Sequence, residues 1–241
     1  MILKGRHILL TGGARGLGAV LARHLVDEGA RLTIADLAAE EGRAVAAAVG
    51  AAFHPVDLGD TRSVALLAGS LDGALHGLVN NAAIATGIGG SGFEEVDDDT
   101  FERVLRVNVW GSWAMTKACA PALRATKGRI VNIASDTALW GAPNLISYVA
   151  SKGAVMAMTR SLARELGPDG VGITAIAPGI LTTESTEYVP EARHRLYSDG
   201  RAVPGPQPPE DVAATVAFLL TDGALTLTGQ TLPTDRGFVF T

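Results

Sequence analysis

"HILLTGGARGLGAVLARHLVDEGARLTIAD", residues 7–36, holds two short apolar runs separated by a glycine-rich turn and one helical stretch. "HILLT" (7–11) has the length and continuity of a strand buried on both faces. The segment from Leu17 to Asp27 reads as a helix, and "RLTIAD" (31–36) as a second strand. Between the first strand and the helix lies "TGGARGLG" (11–18), with glycines at 12, 16 and 18. Glycine reaches positive φ and lets backbone approach a ligand closely. The helix start behind it offers free N–H groups and the positive end of its dipole to an anion such as a pyrophosphate. Asp36 closes the second strand, eighteen residues beyond Gly18. A carboxylate there can accept from both ribose hydroxyls of an adenosine and repels a 2′-phosphate. Arg15, in the loop, is the opposing signal, since a cation there can serve that phosphate.

The alternation continues down the chain. "AAFHPVDL" (51–58), "HGLVNNA" (76–82), "GRIVNIAS" (128–135) and "VGITAIAP" (171–178) read as further strands, and "TGQTL" (228–232) leads a last one. Helices are expected from about Ala38 to Val49, over 61–71, and from about Asp99 to Arg124, where the acidic start suits the helix dipole. Strands alternating with helices imply an α/β fold: a single Rossmann-type, doubly wound parallel sheet with helices on both faces. No repeat or linker divides the chain, so residues 1–241 are expected to form one domain. Residues 181–209, rich in Pro, Glu, Arg and Ser, are expected to be a functional loop, read as a substrate lid, or partly disordered.

Bulk properties narrow the function. With 241 residues, 47% hydrophobic and 19% charged, the composition is that of a globular chain with a substantial core. The net charge of −5 and the lack of a basic block argue against nucleic acid. The single cysteine, Cys119, permits no intrachain disulfide, and no apolar run reaches about 18 residues, so a cytoplasmic location without membrane contact is expected. His7, His24, His54, His76 and His194 have no ligand spacing, so no metal is expected.

One helix contains an anomaly. In "YVASKGAVMAM" (148–158), Tyr148, Lys152, Val155, Met156 and Thr159 fall on one face. Lys152 then lies in a stripe that faces the core, where an unpartnered ammonium costs several kcal/mol. Likewise Phe101, Val104, Leu105 and Asn108 share an apolar face, and a buried amide there requires hydrogen bonds. Ala150, Gly153, Ala154 and Ala157 form a small-residue stripe suited to a second helix, either within the subunit or across a dimer or tetramer interface.

Taken together, these motifs resemble the short-chain dehydrogenase/reductase family, in its compact form of about 250 residues, over nearly the whole chain. "TGGARGLG" is similar to the family's TGxxxGxG, "NNAA" (80–83) to NNAG, and "PGILTT" (178–183) to PGxxxT. Ser135, Tyr148 and Lys152 match the family's serine and YxxxK pair at the usual spacing of thirteen, and Asn108 matches its helix asparagine. Departures are Ala83 for Gly, Thr174 for Asn ahead of the PG motif, and "DRG" (235–237) for DGG. The resemblance implies an NAD-dependent oxidoreductase with catalytic Asn108, Ser135, Tyr148 and Lys152. It implies a cofactor groove of Gly12, Arg15, Gly16, Leu17, Gly18, Asp36, Asp57, Leu58, Asn81, Ala82, Tyr148, Lys152, Pro178, Gly179, Leu181 and Thr183. It also implies a homodimer or homotetramer.

The chemistry follows from the residue types. A tyrosine with its ordinary pKa near 10 is a poor base, and a positive charge one turn away lowers that pKa. Ser135 can donate to a substrate oxygen held beside Tyr148. The resemblance adds a nicotinamide ribose as a second acceptor for Lys152 and a water on Asn108 that carries protons to Lys152. Residues 84–93, 136–147 and 181–209 are expected to wall the substrate pocket, with Leu139, Trp140, Leu145, Leu181, Tyr188 and Val189 as apolar groups. The expected substrate is an uncharged, ring-bearing alcohol or ketone. Arg193 and Arg195 in the lid leave an anionic substrate open, and Trp140 alternatively packs in the core or at an interface. The competing functions are an NADPH-dependent 3-oxoacyl-thioester reductase and a dinucleotide-binding regulator without turnover.

Overall fold

Seven parallel strands form one sheet in the order β3-β2-β1-β4-β5-β6-β7 in the computed structural model, which describes residues 1–71 and 73–241. The strands are β1 (His7–Thr11), β2 (Arg31–Asp36), β3 (Ala52–Pro55), β4 (Gly77–Asn80), β5 (Arg129–Ile133), β6 (Gly172–Pro178) and β7 (Thr231–Thr234). Every residue of β1, β4, β5 and β6 is buried, which is why apolar residues run consecutively through their centres rather than alternating. The edge strands β3 and β7 are partly exposed and carry Pro55 and Pro233. A proline donates no ladder hydrogen bond, so an edge is where it is tolerated.

The helices are α1 (Gly16–Asp27), α2 (Ala39–Val49), α3 (Thr61–Ser70), α4 (Asp98–Leu105), α5 (Ser112–Thr126), α6 (Thr137–Trp140), α7 (Ile146–Leu166), α8 (Glu191–Gly200) and α9 (Glu210–Leu219). They cover the sheet as two apolar layers. Leu21, Leu25, Val212 and Val216 of α1 and α9 pack with Ile8, Leu10 and Ile34 on one face. Met115, Cys119 and Leu123 of α5 pack with Leu9, Leu78 and Ile130 on the other. Burial pushes the Cys119 thiol up to about 12, so it is an inert core group. No helix among the described residues is long and apolar enough to cross a membrane.

The helix expected over 99–124 is interrupted. Between α4 and α5 the backbone makes a π-helical turn, Arg106–Gly111. Such single π turns occur within α-helices, and the apolar spacing that ends at Asn108 reaches only into this one, so the sequence pattern does not mark it. Two contacts fix it. Gly111 lies against Leu58 so closely that a Cβ would be 2.9 Å from the Leu58 Cβ, and the Asn108 amide turns inward.

The segment 181–209 is more regular than its composition suggests. It contains a short 3-10 turn (Glu184–Thr186) and α8. The "DRG" departure also has a local explanation. Arg236 occupies positive φ (59°), a conformation that costs a non-glycine residue roughly 1 kcal/mol. In return its guanidinium lies 2.5 Å from Asp211 and donates to the Pro206 carbonyl.

Candidate active site

The strand order reverses between β1 and β4, and this switch point is where open α/β sheets bind ligands. The glycine loop leaves β1 here, and "NNAA" leaves β4. Their junction is close-packed. A Cβ on Gly12 (φ 69°) would stand 2.5 Å from the Ala82 Cα, and one on Gly18 1.8 Å from the Gly12 carbonyl. Asn81 holds the loop, its amide donating to the Thr11 and Gly12 carbonyls at 3.1 and 2.7 Å. The Thr11 hydroxyl accepts from the N–H groups of Asn81 and Ala82. Asn81 is therefore a brace for the glycine loop.

Beyond the loop, α1 begins without help from its own side chains. Arg15, the N-cap, is exposed and caps nothing, and the first turn has no acid. That terminus suits a pyrophosphate, and the closely packed glycines leave its backbone approachable. A feature not legible in the sequence sits here: the Glu184 carboxylate, from the 3-10 turn, accepts from the Gly16 N–H at 2.7 Å.

Asp36 lies at the end of β2, half-buried. Its two carboxylate oxygens accept from the Ala14 and Ala38 N–H groups, both at 2.9 Å. Each oxygen keeps a further acceptor site, so the carboxylate is oriented rather than consumed. Asp57 is exposed and accepts from the Gly59 N–H, whereas Leu58 is buried against the π turn. Pro178 ends β6. Gly179 follows beside Asp136 and Arg201, Leu181 is buried, and Thr183 starts the 3-10 turn.

Ser135 follows β5 and is 6% exposed; its hydroxyl oxygen accepts from the Thr137 hydroxyl at 2.9 Å and the Thr137 N–H at 3.3 Å. Tyr148 and Lys152 stand one turn apart on α7, and the predicted stripe is buried at Lys152, Val155, Met156 and Thr159. Burial pushes the Tyr148 phenol above its ordinary range, and the Ser135 hydrogen bond opposes that rise. Lys152 is only 3% exposed, with Nζ 5.5 Å from the centre of the Tyr148 ring. Burial draws its ammonium down to about 8.

The partner of Lys152 in this chain is unexpected: Nζ donates to the Ile133 carbonyl at 2.7 Å, at the end of β5. That leaves two further donors on the ammonium. Asn108 is 1% exposed, and its buried amide finds the hydrogen bonds such a position requires. Its side chain accepts from the Ile84 N–H at 2.7 Å and donates to the Ile84 carbonyl and the Ser151 hydroxyl. The Asn108 side chain is thus held between the chain leaving β4 and Ser151 of α7.

The three segments expected to wall the pocket touch one another. Tyr188 donates to the Ala85 carbonyl at 2.7 Å, and Arg193 donates to the Pro143 carbonyl and lies 5.6 Å from the Trp140 ring centre. Trp140 is committed to the protein, its indole N–H donating to the Tyr197 hydroxyl at 3.0 Å.

Comparison with known proteins agrees with this geometry. Residues 12–239 match a family model described as enoyl-(acyl carrier protein) reductase. The chain is 37% identical to a 3-alpha-(or 20-beta)-hydroxysteroid dehydrogenase of Mycobacterium bovis, over 98% of this chain and 90% of that one. It is 34% identical to a meso-2,3-butanediol dehydrogenase of Serratia marcescens, over 95% and 93%. The solved structure of a short-chain type dehydrogenase/reductase from Mycobacterium ulcerans superposes with a TM-score of 0.93 at 26% identity, covering 99% of this chain and 91% of that one. A glycine loop at the switch point, a serine, tyrosine and lysine gathered near the strand ends, and relatives matched end to end lead to one conclusion: the chain belongs to the short-chain dehydrogenase/reductase family, whose members bind a nicotinamide dinucleotide and act as oxidoreductases on CH–OH groups.

Proposed function

We propose that the protein is an NAD-dependent dehydrogenase that interconverts a hydrophobic, ring-bearing secondary alcohol and its ketone, with Tyr148 as general acid/base. The carrying observation is the buried Lys152 ammonium, 5.5 Å from the centre of the Tyr148 ring, with Ser135 near enough to the phenol to oppose its rise in pKa. The bound dinucleotide supplies the hydride acceptor. Ser135 then steadies the substrate oxygen, and Tyr148 takes the hydroxyl proton. Lys152, still cationic near neutral pH, lowers the cost of the phenolate and has two donors left for a ribose and a water. Asn108, bonded to Ile84 and to the Ser151 hydroxyl, fixes the π turn and the residue next to Lys152.

Asp36 supports NAD over NADP, because its oriented carboxylate would face a 2′-phosphate. The lid supports an uncharged substrate. Arg193 is tied to Pro143 and Trp140, and Arg195 pairs with Glu191, so neither guanidinium is a ready anion site. The hydroxysteroid relative favours a ring beside the carbinol carbon, and the butanediol relative a smaller acyclic one. Residues 1–241 act as one domain with 181–209 as its lid, and the single buried thiol suits a cytoplasmic setting. The face with Leu105, Trp110, Trp113, Ala154 and Met158 is a groove suited to a second subunit in a homodimer or homotetramer.

Initial rates with 1-phenylethanol, cyclohexanol and lactate, each with NAD and NADP, test this reading. The ring alcohols with NAD are expected to give the highest kcat/KM. A clear preference for lactate overturns the substrate class, and equal use of the two cofactors overturns the role of Asp36.

A further inference from the structure

The catalytic loop, the lid and the C-terminal tail meet in one buried polar cluster that the chemistry above does not use. Asp136, directly after Ser135, is fully buried. One carboxylate oxygen accepts from the Tyr197 hydroxyl at 2.8 Å, and the other has no hydrogen-bond partner. Tyr197 lies on α8, is 2% exposed, and its hydroxyl also accepts from the Trp140 indole on α6. Its ring stacks on Phe238 at 4.3 Å, and Trp140 meets both rings edge-on at 6.2 and 5.9 Å. Behind them Arg201 donates to the carbonyls of Asp235, Gly205 and Ile180. One hydroxyl thus joins α8 to the loop after β5, and the stacked Phe238 ring brings in the C-terminal tail. A buried carboxyl with an unpaired oxygen is costly, so it persists where it fixes a geometry.

We infer that Asp136 and Tyr197 are positioning residues that clamp α8 to the catalytic loop and so set the lid-side wall of the substrate site, without contacting the cofactor. This rests on the alcohol–ketone reading only for the identity of the substrate. Tyr197 is the one buried side chain of α8, and its hydroxyl makes the buried link to the catalytic loop; the other ties, Arg193 to the Pro143 carbonyl and His194 to the Thr186 carbonyl, lie nearer the surface. Asp136 also borders Gly179 of the expected cofactor groove whereas the Tyr197 hydroxyl does not, so Tyr197→Phe in particular is expected to act on substrate binding and leave dinucleotide binding nearly unchanged.

The test compares wild type with Tyr197→Phe, Asp136→Ala and Asp136→Asn by two readouts. Amide hydrogen exchange over 191–200 reads the clamp directly, whatever the enzyme turns over. Steady-state kinetics with 1-phenylethanol and NAD read its consequence. Tyr197→Phe and Asp136→Ala are expected to speed exchange in α8 at least tenfold and to raise KM for the alcohol about tenfold, with KM for NAD within twofold. Asp136→Asn keeps an acceptor for Tyr197 and is expected to restore both values to within about threefold of wild type. Wild-type exchange in both disrupted variants overturns the clamp, as does KM for NAD rising in step with KM for the alcohol. If no alcohol is turned over, the functional reading fails and the exchange measurement alone decides the clamp.

Discussion

Replacing Asp136 by Asn changes how stability depends on pH, and the size of the change follows from its surroundings. Burial raises the Asp136 carboxyl to about 7, against an ordinary value of 3.8. The negative charge of Asp235 adds to that rise, while the Tyr197 hydroxyl and the Arg201 guanidinium oppose it. The folded-state pKa lies above the unfolded one, so the folded protein holds a proton that the unfolded chain has lost. The contribution of this group to stability is then greatest below about pH 4 and declines as pH rises toward 7. Linkage over that interval gives a loss of about 1.7 kcal/mol by pH 5 and about 4 kcal/mol by pH 8. The Asp136→Asn variant has no charge to bury at this position, so its stability relative to wild type grows by roughly 2.5 kcal/mol from pH 5 to pH 8. For a chain of this size that is about 5–10 °C in Tm. His7 and His76, both held below their usual pKa by burial, add a slope of opposite sign, but it is common to both proteins and cancels in the difference. Thermal melts of the two proteins at pH 5, 6, 7 and 8 read the gap. A gap that stays flat across this range refutes the reasoning, because it means the Asp136 charge costs nothing where it sits.

Three further outcomes follow from the cofactor groove. Asp36→Ser removes the charge facing a 2′-phosphate while Arg15 remains, so the ratio of kcat/KM for NAD to that for NADP is expected to fall at least tenfold; an unchanged ratio contradicts the role of Asp36. Glu184→Ala frees the Gly16 N–H from a carboxylate that competes with the pyrophosphate, so Kd for NAD, measured by fluorescence quenching, is expected to fall severalfold, and a rise would mean that Glu184 helps binding. Gly18→Ala puts a Cβ 1.8 Å from the Gly12 carbonyl, and loop and helix must part; a loss of about 2 kcal/mol or more in denaturant melts, with impaired NAD binding, is expected, and a wild-type melt contradicts the packing.

The sheet was legible because its central strands are buried on both faces and glycines punctuate them, as in "HILLTGGARGLG". Tyr148 and Lys152 were legible because a charged residue in a buried helical stripe is conspicuous. The Lys152 partner was not, because a backbone carbonyl at the end of β5 leaves no mark in side-chain identity. The π turn is invisible to periodicity, which runs from Phe101 through Asn108 as if the helix were regular. Helix α8 lacks an apolar stripe, so "EARHRLYSDG" reads as loop. Helix α9 is absent from the sequence-based expectation although Val212, Ala213, Val216 and Ala217 do fall at helical spacing. Asp136 reads as an ordinary polar residue after a strand. Its burial arises from Tyr197, 61 residues on, and from the tail near Phe238, and no local pattern reports such a meeting.

The claim on which the account depends most is that Tyr148 is the proton-transfer group and only that. Turnover of 1-phenylethanol with NAD, measured for wild type and Tyr148→Phe alongside Kd for NAD, tests it directly. The phenyl ring keeps the packing and loses the titrating hydroxyl, so kcat is expected to fall at least about 100-fold while Kd stays within threefold. A variant that retains more than about a tenth of wild-type kcat, well short of the loss expected of a general base, would contradict the assignment.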